Sequence, residues 1–361
     1  MDARCVGPDS SMEIETQTED ACVGGAVVVV AKCPIAGVSK TRLEPLLGDE
    51  GAAQLAQAML SDVLVSLSEC PLLRSTLKVL LYAPDTKSGE LQMEFILQSL
   101  NLTYVNSTKA QKLGRSLGEW VLLPMKSSVK NETESNSDLT SASLGDKLTD
   151  ALDRTRELIR MTKTFNIQNS NNNEAVLFLG MDSPELSMEE VVYGLQISSG
   201  DKLLHNDMPD HMSKRDCIDN ILTATFGKAH ICPAVDGGYA LISIPGHAPS
   251  SKVFSGIRWS QPLTAVSQLK ALTDSNVDVS IGKMMHDVDE PSDVHELVKR
   301  LHHYRNDHTQ RNKPEGQTCD VLTTLSTGSR ATVSITEPQP FPRHTWKALV
   351  DMNLIQKDNA T

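Results

Sequence analysis

Positive charge is scarce in this chain. Lys and Arg number 34 against 46 Asp and Glu, a formal net charge of −12 over 361 residues. Holding a nucleic-acid backbone needs a basic face, so no nucleic-acid partner is expected. No apolar run approaches the roughly 18 residues of a membrane-spanning helix, so no membrane partner is expected either. The first 22 residues carry Asp2, Asp9, Glu13, Glu15, Glu19 and Asp20 against Arg4. That is the reverse of the basic start of a secretory signal, and the expected compartment is cytoplasmic. Aromatic residues make up only 4% and hydrophobic residues 39%, enough for a sizeable core in part of the chain but not throughout. The seven cysteines (Cys5, Cys22, Cys33, Cys70, Cys217, Cys232 and Cys319) are odd in number and contain no CxxC pair. Their spacing signals neither a zinc site nor a thioredoxin-type motif, and free thiols are expected.

What is present is an alternation of strands and helices. AVVVVA (26–31), KVLLYA (78–83) and VLFLG (176–180) are short apolar runs bounded by turn residues, the pattern of buried strands. Weaker strands are predicted at 102–105, 230–234, 239–244 and 277–281. Helices are predicted at 49–69, 89–100, 262–273 and 292–302, the last capped by Ser292. In 49–69 the residues Ala56, Met59, Leu60, Val63, Leu64 and Leu67 recur at helical spacing. Strands alternating with helices predict an α/β fold with a single doubly wound, mostly parallel sheet. Polar stretches at 127–143, 166–175 and 200–219 read as surface insertions. The domain is expected over 24–304, between a disordered acidic tail (1–23) and a polar, mostly unstructured tail (305–361). A short docking helix is expected near Trp346–Leu354. His302, His303 and His308 read as a solvated helix end.

Four segments could carry chemistry. The loop KCPIAGVSKTRL (32–43) follows the first strand, and doubly wound sheets bind ligands beyond the carboxyl ends of their strands. Gly37, Lys40, Thr41 and Arg42 there offer backbone N–H groups and two cations, as a di- or triphosphate needs. The loop is neither GxGxxG nor a Walker A sequence, which argues against NAD binding and P-loop ATPase chemistry. In GMDSPEL (180–186), Asp182 sits just past a strand, either as a Mg²⁺ ligand or as the cap of a helix beginning near Pro184. In HDVDEPSD (286–293), Asp287 and Asp289 are two apart at a predicted strand end, so both face one way. They need a cation or a proton between them, or else form a solvated acidic turn. In PAVDGGYALI (233–242), Gly237 and Gly238 permit a tight hairpin or close approach to a ligand. Asp236 and Tyr239 stand beside them, within reach of a hydroxyl.

These segments, with SLGDKLTDAL (143–152) and FSGIRWS (254–260), stand in an order that resembles the glycosyltransferase-like proteins of the nucleotide-diphospho-sugar transferase superfamily. That family is similar in turn to the nucleotidyltransferases of molybdenum-cofactor and deazaflavin-cofactor synthesis. The resemblance covers roughly 25–302 and implies a GT-A-type fold, a nucleotide or nucleotide-sugar donor, and Mg²⁺ or Mn²⁺. It implies Lys40 and Arg42 on phosphates and Asp182 and Asp289 on metal, with Asp287 as a third ligand. Leu144 and Gly145 would lie in a loop near the base or sugar. Asp236, Gly237, Gly238 and Tyr239 would face the acceptor, with Trp259 and Ser260 lining its side. Ala36, Val38 and Ser143 depart from the family pattern, where Pro, Arg and Gly are common. Three readings follow: glycosyl transfer from an NDP-sugar with Asp236 as base, nucleotidyl transfer from an NTP with pyrophosphate release, and nucleotide binding without turnover.

Overall fold

The computed structural model describes residues 23–113, 118–126, 142–165, 174–200, 227–311 and 341–355. Residues 1–22, and most of the expected insertions at 127–143, 166–175 and 200–219, lie outside the described residues.

The apolar run after Gly25 forms β1 (Ala26–Lys32) at the middle of an eight-stranded sheet of order β3-β4-β2-β1-β5-β7-β6-β8. The other strands are β2 (Leu77–Ala83), β3 (Tyr104–Asn106), β4 (Trp120–Pro124), β5 (Val176–Gly180), β6 (Ala229–Pro233), β7 (Tyr239–Ile244) and β8 (Val279–Ile281). All run parallel to β1 except β7, which lies antiparallel between β5 and β6. The expected mostly parallel α/β sheet is therefore present. Its strand order reverses at β1, between β2 and β5, which is where such sheets open a crevice for ligands.

Both faces of β1 are apolar because both are covered. Val27 and Val29 face a layer built by α1 (Glu44–Glu69), α2 (Lys87–Ser99) and α5 (Met188–Ser199). Ala26 and Val28 face α3 (Ser107–Leu113), α4 (Leu144–Phe165), the single turn α6 (Ser250–Val253) and α7 (Thr264–Asp274). A third cluster joins the outer side of α1 (Leu55, Met59) to α8 (Pro291–Arg311) and α9 (Arg343–Asp351) through Leu297, Leu301 and Leu349. Among the described residues, no helix is long and apolar enough to cross a membrane.

Several local expectations need correction. The regular part of α1 starts where predicted, because Gly48 (φ 68°) breaks it from the turn before. Strand β4 and helices α3 and α4 add to the expected elements. Leu144 and Gly145 are not in a loop but open α4. Ser143 caps it, its hydroxyl accepting from the Asp146 N–H at 3.2 Å while Asp146 accepts the Ser143 N–H at 3.0 Å. That reciprocal capping box explains a Ser at this position. Ser187, not Asp182, caps α5, which begins at Met188 rather than near Pro184. Ser292 does not cap α8. Instead the Asp293 carboxylate reaches back to the N–H groups of Asp289 (3.0 Å) and Glu290 (2.7 Å). Helix α8 also runs on to Arg311, past the predicted end at 302.

The expected docking helix is α9. Asp62 on α1 accepts the N–H groups of His344 at 2.9 Å and Thr345 at 2.7 Å, so a carboxylate on one helix caps the start of another. His302 packs its ring edge-on to Trp346, with centroids 5.2 Å apart, instead of standing in solvent.

Candidate active site

The loops beyond the carboxyl ends of β1, β5 and β8 meet the β6–β7 turn at one edge of the sheet. Each is fixed by its own backbone. After β1, the N–H groups of Val38 and Ser39 both bond to the Ile35 carbonyl. Gly37 takes φ 71° and Lys40 takes φ 53°, left-handed values that a lysine adopts only when its surroundings hold it there. Leu43, fully buried in the third cluster, anchors the far end of the loop.

The held lysine points inward. Its Nζ donates to Asp182 Oδ2 at 2.9 Å and to Asp289 Oδ1 at 2.5 Å, and the side chain is only 11% exposed. Burial works against the charged ammonium, but the two carboxylates outweigh it and raise the Lys40 pKa above its usual value. Burial likewise pushes the Asp182 carboxyl up, and Lys40 more than reverses this, so the carboxyl ends below its ordinary range. The Val288 N–H donates to the Asp182 carbonyl at 3.1 Å, which ties the loop after β5 to the loop after β8.

Asp287 and Asp289 share a face, though not as residues of a strand. Strand β8 ends at Ile281, and they flank the fully buried Val288 in the extended segment that follows. With Val288 turned into the core, its two neighbours turn away from it. There they meet Asp236 from the β6–β7 turn, and carboxylate oxygens of Asp236, Asp287 and Asp289 lie within 4.8 Å of one another. Burial, followed by the charges of Asp236, Asp182 and Asp289, pushes the Asp287 carboxyl up to about 6. The turn that delivers Asp236 requires glycine at 237. Gly237 has φ 87°, and a Cβ there would strike the Pro262 carbonyl. The Gly238 N–H then donates to Asp236 Oδ1 at 2.7 Å.

The trio opens into a cavity of about 470 Å³ lined by Arg42, Asp236, Asp287, Asp289, Glu290 and Arg300, among others. Arg42 is largely exposed, with its guanidinium 4.0 Å from Glu290. Thr41 opens the 3₁₀ turn Thr41–Leu43. Gly145 meets Trp259: a Cβ on it would lie 3.3 Å from Trp259 Nε1 and 2.6 Å from the Phe254 carbonyl, while Leu144 beside it is exposed. Trp259 packs on Phe254 with centroids 6.5 Å apart, and Ser260 follows with φ 56°. The Tyr239 hydroxyl is turned to Gln268, donating to Oε1 at 3.1 Å, so its polar end is engaged within the fold.

The sequence matches no protein-family profile and no curated protein. Three of the solved structures that it resembles are as follows. One is a protein named as a nucleotide-diphospho-sugar transferase from Desulfovibrio desulfuricans, at 18% identity over 80% of this chain and 90% of that one, with TM-score 0.48. Another is a cytidylyltransferase from Leptospira borgpetersenii, at 11% identity over 83% of this chain and 99% of that one, with TM-score 0.39. The third is a CMP:2-keto-3-deoxy-manno-octonic acid synthetase complexed with CTP, at 10% identity over 80% and 99%, with TM-score 0.33.

Some cavity residues escaped the reading of the sequence. Glu290, just before α8, and Asp293, Glu296 and Arg300 along it line the cavity. Their three- and four-residue spacing from Asp289 onward was the available signal. Arg300 is braced by Glu185 at 2.6 Å, again linking α8 to the loop after β5.

Proposed function

We propose that the chain is a metal-dependent transferase using a nucleotide donor, and that it transfers a glycosyl group from an NDP-sugar. The observation that carries this is the convergence of Asp236, Asp287 and Asp289 beside the Lys40–Asp182 pair, at the point where the strand order reverses.

The residues fit a hard divalent cation such as Mg²⁺ or Mn²⁺. They are carboxylate oxygens drawn together against their mutual repulsion, with Asp287 pushed up first by burial and then by its neighbours' charges. Asp287 and Asp289, with Asp182 as a further donor, would hold it. Bound there, the cation would neutralise charge on the diphosphate of the donor. Lys40 and Arg42 bind the phosphates, Arg42 through its planar fork. Asp236, the exposed member of the trio, accepts the proton of the acceptor hydroxyl. The hydroxyl oxygen forms the new bond to the anomeric carbon. The bond from that carbon to the diphosphate breaks, and the NDP leaves with the electron pair.

The sign of the cavity favours an NDP-sugar over an NTP. Its lining carries Asp236, Asp287, Asp289, Glu290, Asp293 and Glu296 against Arg42 and Arg300. An NDP-sugar brings less negative charge than an NTP, and its sugar hydroxyls can donate to carboxylates. A specific observation supports a second reading, nucleotidyl transfer. Asp289 belongs to the trio and also contacts Lys40, so carboxylates lie on both sides of the lysine, as a two-cation displacement at phosphorus would use.

Incubation with a panel of NDP-sugars and of NTPs, each with Mn²⁺, tests the proposal. Free NDP released from one NDP-sugar, and lost in Asp289→Asn, is the expected result. Pyrophosphate from one NTP would transfer the assignment to the second reading. No product from any donor, despite nucleotide binding, would leave the chain a binding module and overturn both.

A further inference from the structure

A second cluster of ligating side chains lies on the strand that leads to Asp236. His230 and Cys232 are two apart on β6 and so share a face. Glu190 reaches them from α5. His230 Nε2 lies 2.7 Å from Glu190 Oε2, and Cys232 Sγ lies 3.5 Å from both atoms. All three residues are buried. The third wall is the backbone after β8. The Gly282 N–H donates to the Ile231 carbonyl at 2.8 Å, and a side chain at 282 would strike Glu190 Oε2 and the His230 ring.

As a set of protein groups alone, this cluster is poorly balanced. Burial pulls His230 toward its neutral form and pushes the Cys232 thiol up. Lys283, the cation that both Glu190 and Cys232 feel, is paired with Glu189 at 2.7 Å. Each of these features suits a soft divalent cation. A carboxylate, a thiolate and a neutral imidazole around it sum to zero charge, which a buried site needs. Tetrahedral zinc has bonds of about 2.3 Å to sulfur and about 2.0 Å to nitrogen and oxygen, which sets its ligand atoms roughly 3.3–3.6 Å apart. Both sulfur distances already match, and the Glu190–His230 contact must open by about half an ångström.

We propose that Glu190, His230 and Cys232 form a zinc-type site, distinct from the carboxylate trio, that ties α5 to β6. Thiolate and imidazole select zinc over magnesium, so the two sites would hold different metals. The ion would brace β6, the strand that leads to Asp236.

Cobalt(II) alone, added to the metal-free full-length protein, tests this. The expected result is a thiolate-to-cobalt charge-transfer band at one equivalent, removed by added Zn²⁺. Cys232→Ser should abolish the band and Asp289→Asn should leave it. Glu190→Gln, which keeps the shape of the side chain, should weaken Co²⁺ binding by more than the roughly tenfold an outer partner costs. Zn²⁺ at about a hundredfold over its dissociation constant should raise the unfolding temperature by about 5–10 °C. A folded wild-type protein without the band, or a band that survives Cys232→Ser, would overturn the proposal.

Discussion

Lys40 and Asp289 are 249 positions apart in the chain, yet the lysine Nζ lies 2.5 Å from the aspartate Oδ1. The same ammonium holds Asp182 at 2.9 Å, so one side chain joins the loops after β1, β5 and β8. Local structure sends it there, through a left-handed backbone at Lys40 and the burial of Leu43 three residues later.

Removing that cation should be costly. In Lys40→Met, Asp182 keeps its burial and loses its partner, and breaking a buried pair in this way costs about 3 kcal/mol. The midpoint of urea unfolding should fall accordingly, and nucleotide affinity should fall with it. An unchanged midpoint would mean that the pair contributes nothing.

Acid should act through the same pair. The Asp182 carboxyl is depressed in the folded protein, so its contribution is complete above the unfolded value of about 4. It disappears as pH falls through the lower folded value. Stability measured from pH 5 to pH 2 should drop more steeply in the wild type than in Lys40→Met.

Asp287 should act in the opposite sense. Its carboxyl is raised to about 6, so the folded state holds the proton more tightly than the unfolded chain. Stability is therefore fullest below about pH 4 and declines as pH rises toward 6. Asp287→Asn should be more stable than the wild type at pH 7, by about 1–2 kcal/mol after solvent screening. Saturating Mn²⁺ should narrow the difference by stabilising only the wild type. Unfolding curves at pH 5 and pH 7, with and without the metal, measure both effects.

The helix α9 should depend on a residue far from it in sequence. Asp62→Ala removes the acceptor for the N–H groups of His344 and Thr345, at a cost of about 1–2 kcal/mol typical of a lost cap. Leu349 shares a cluster with Leu43 and Val288, which anchor the two loops of the site. The variant should therefore lose protease protection at its C-terminal segment and bind nucleotide more weakly. Faster cleavage with unaltered nucleotide affinity would disconnect α9 from the site.

The sequence made the central strands legible, since β1, β2 and β5 are covered on both faces and read as unbroken apolar runs. Strand β4 carried the same signal in WVLLP, bounded by Gly118 and Pro124, and helix α4 carried Leu148, Ala151, Leu152 and Ile159 at helical spacing. The separate segments of the site were visible as well, because cations after a first strand and acids near strand ends follow from local chemistry. Their pairing was not. That Lys40 takes Asp182 while Asp236 joins Asp287 and Asp289 follows from the placing of β5, β6 and β8 in the sheet, which no single segment encodes. The Glu190–His230–Cys232 cluster was hidden for the same reason, since one of its members comes from α5 and two from β6.

The proposed transfer requires a cation-dependent diphosphate site at Asp287 and Asp289. Calorimetric titration of nucleoside diphosphates into the wild type and into Asp289→Asn, each with and without Mn²⁺, tests it most directly. At least one diphosphate should bind the wild type, removing Mn²⁺ should weaken this binding at least tenfold, and Asp289→Asn should abolish the gain from metal. Binding that is equally tight without Mn²⁺ and in Asp289→Asn, or no binding of any diphosphate to folded protein, would contradict it.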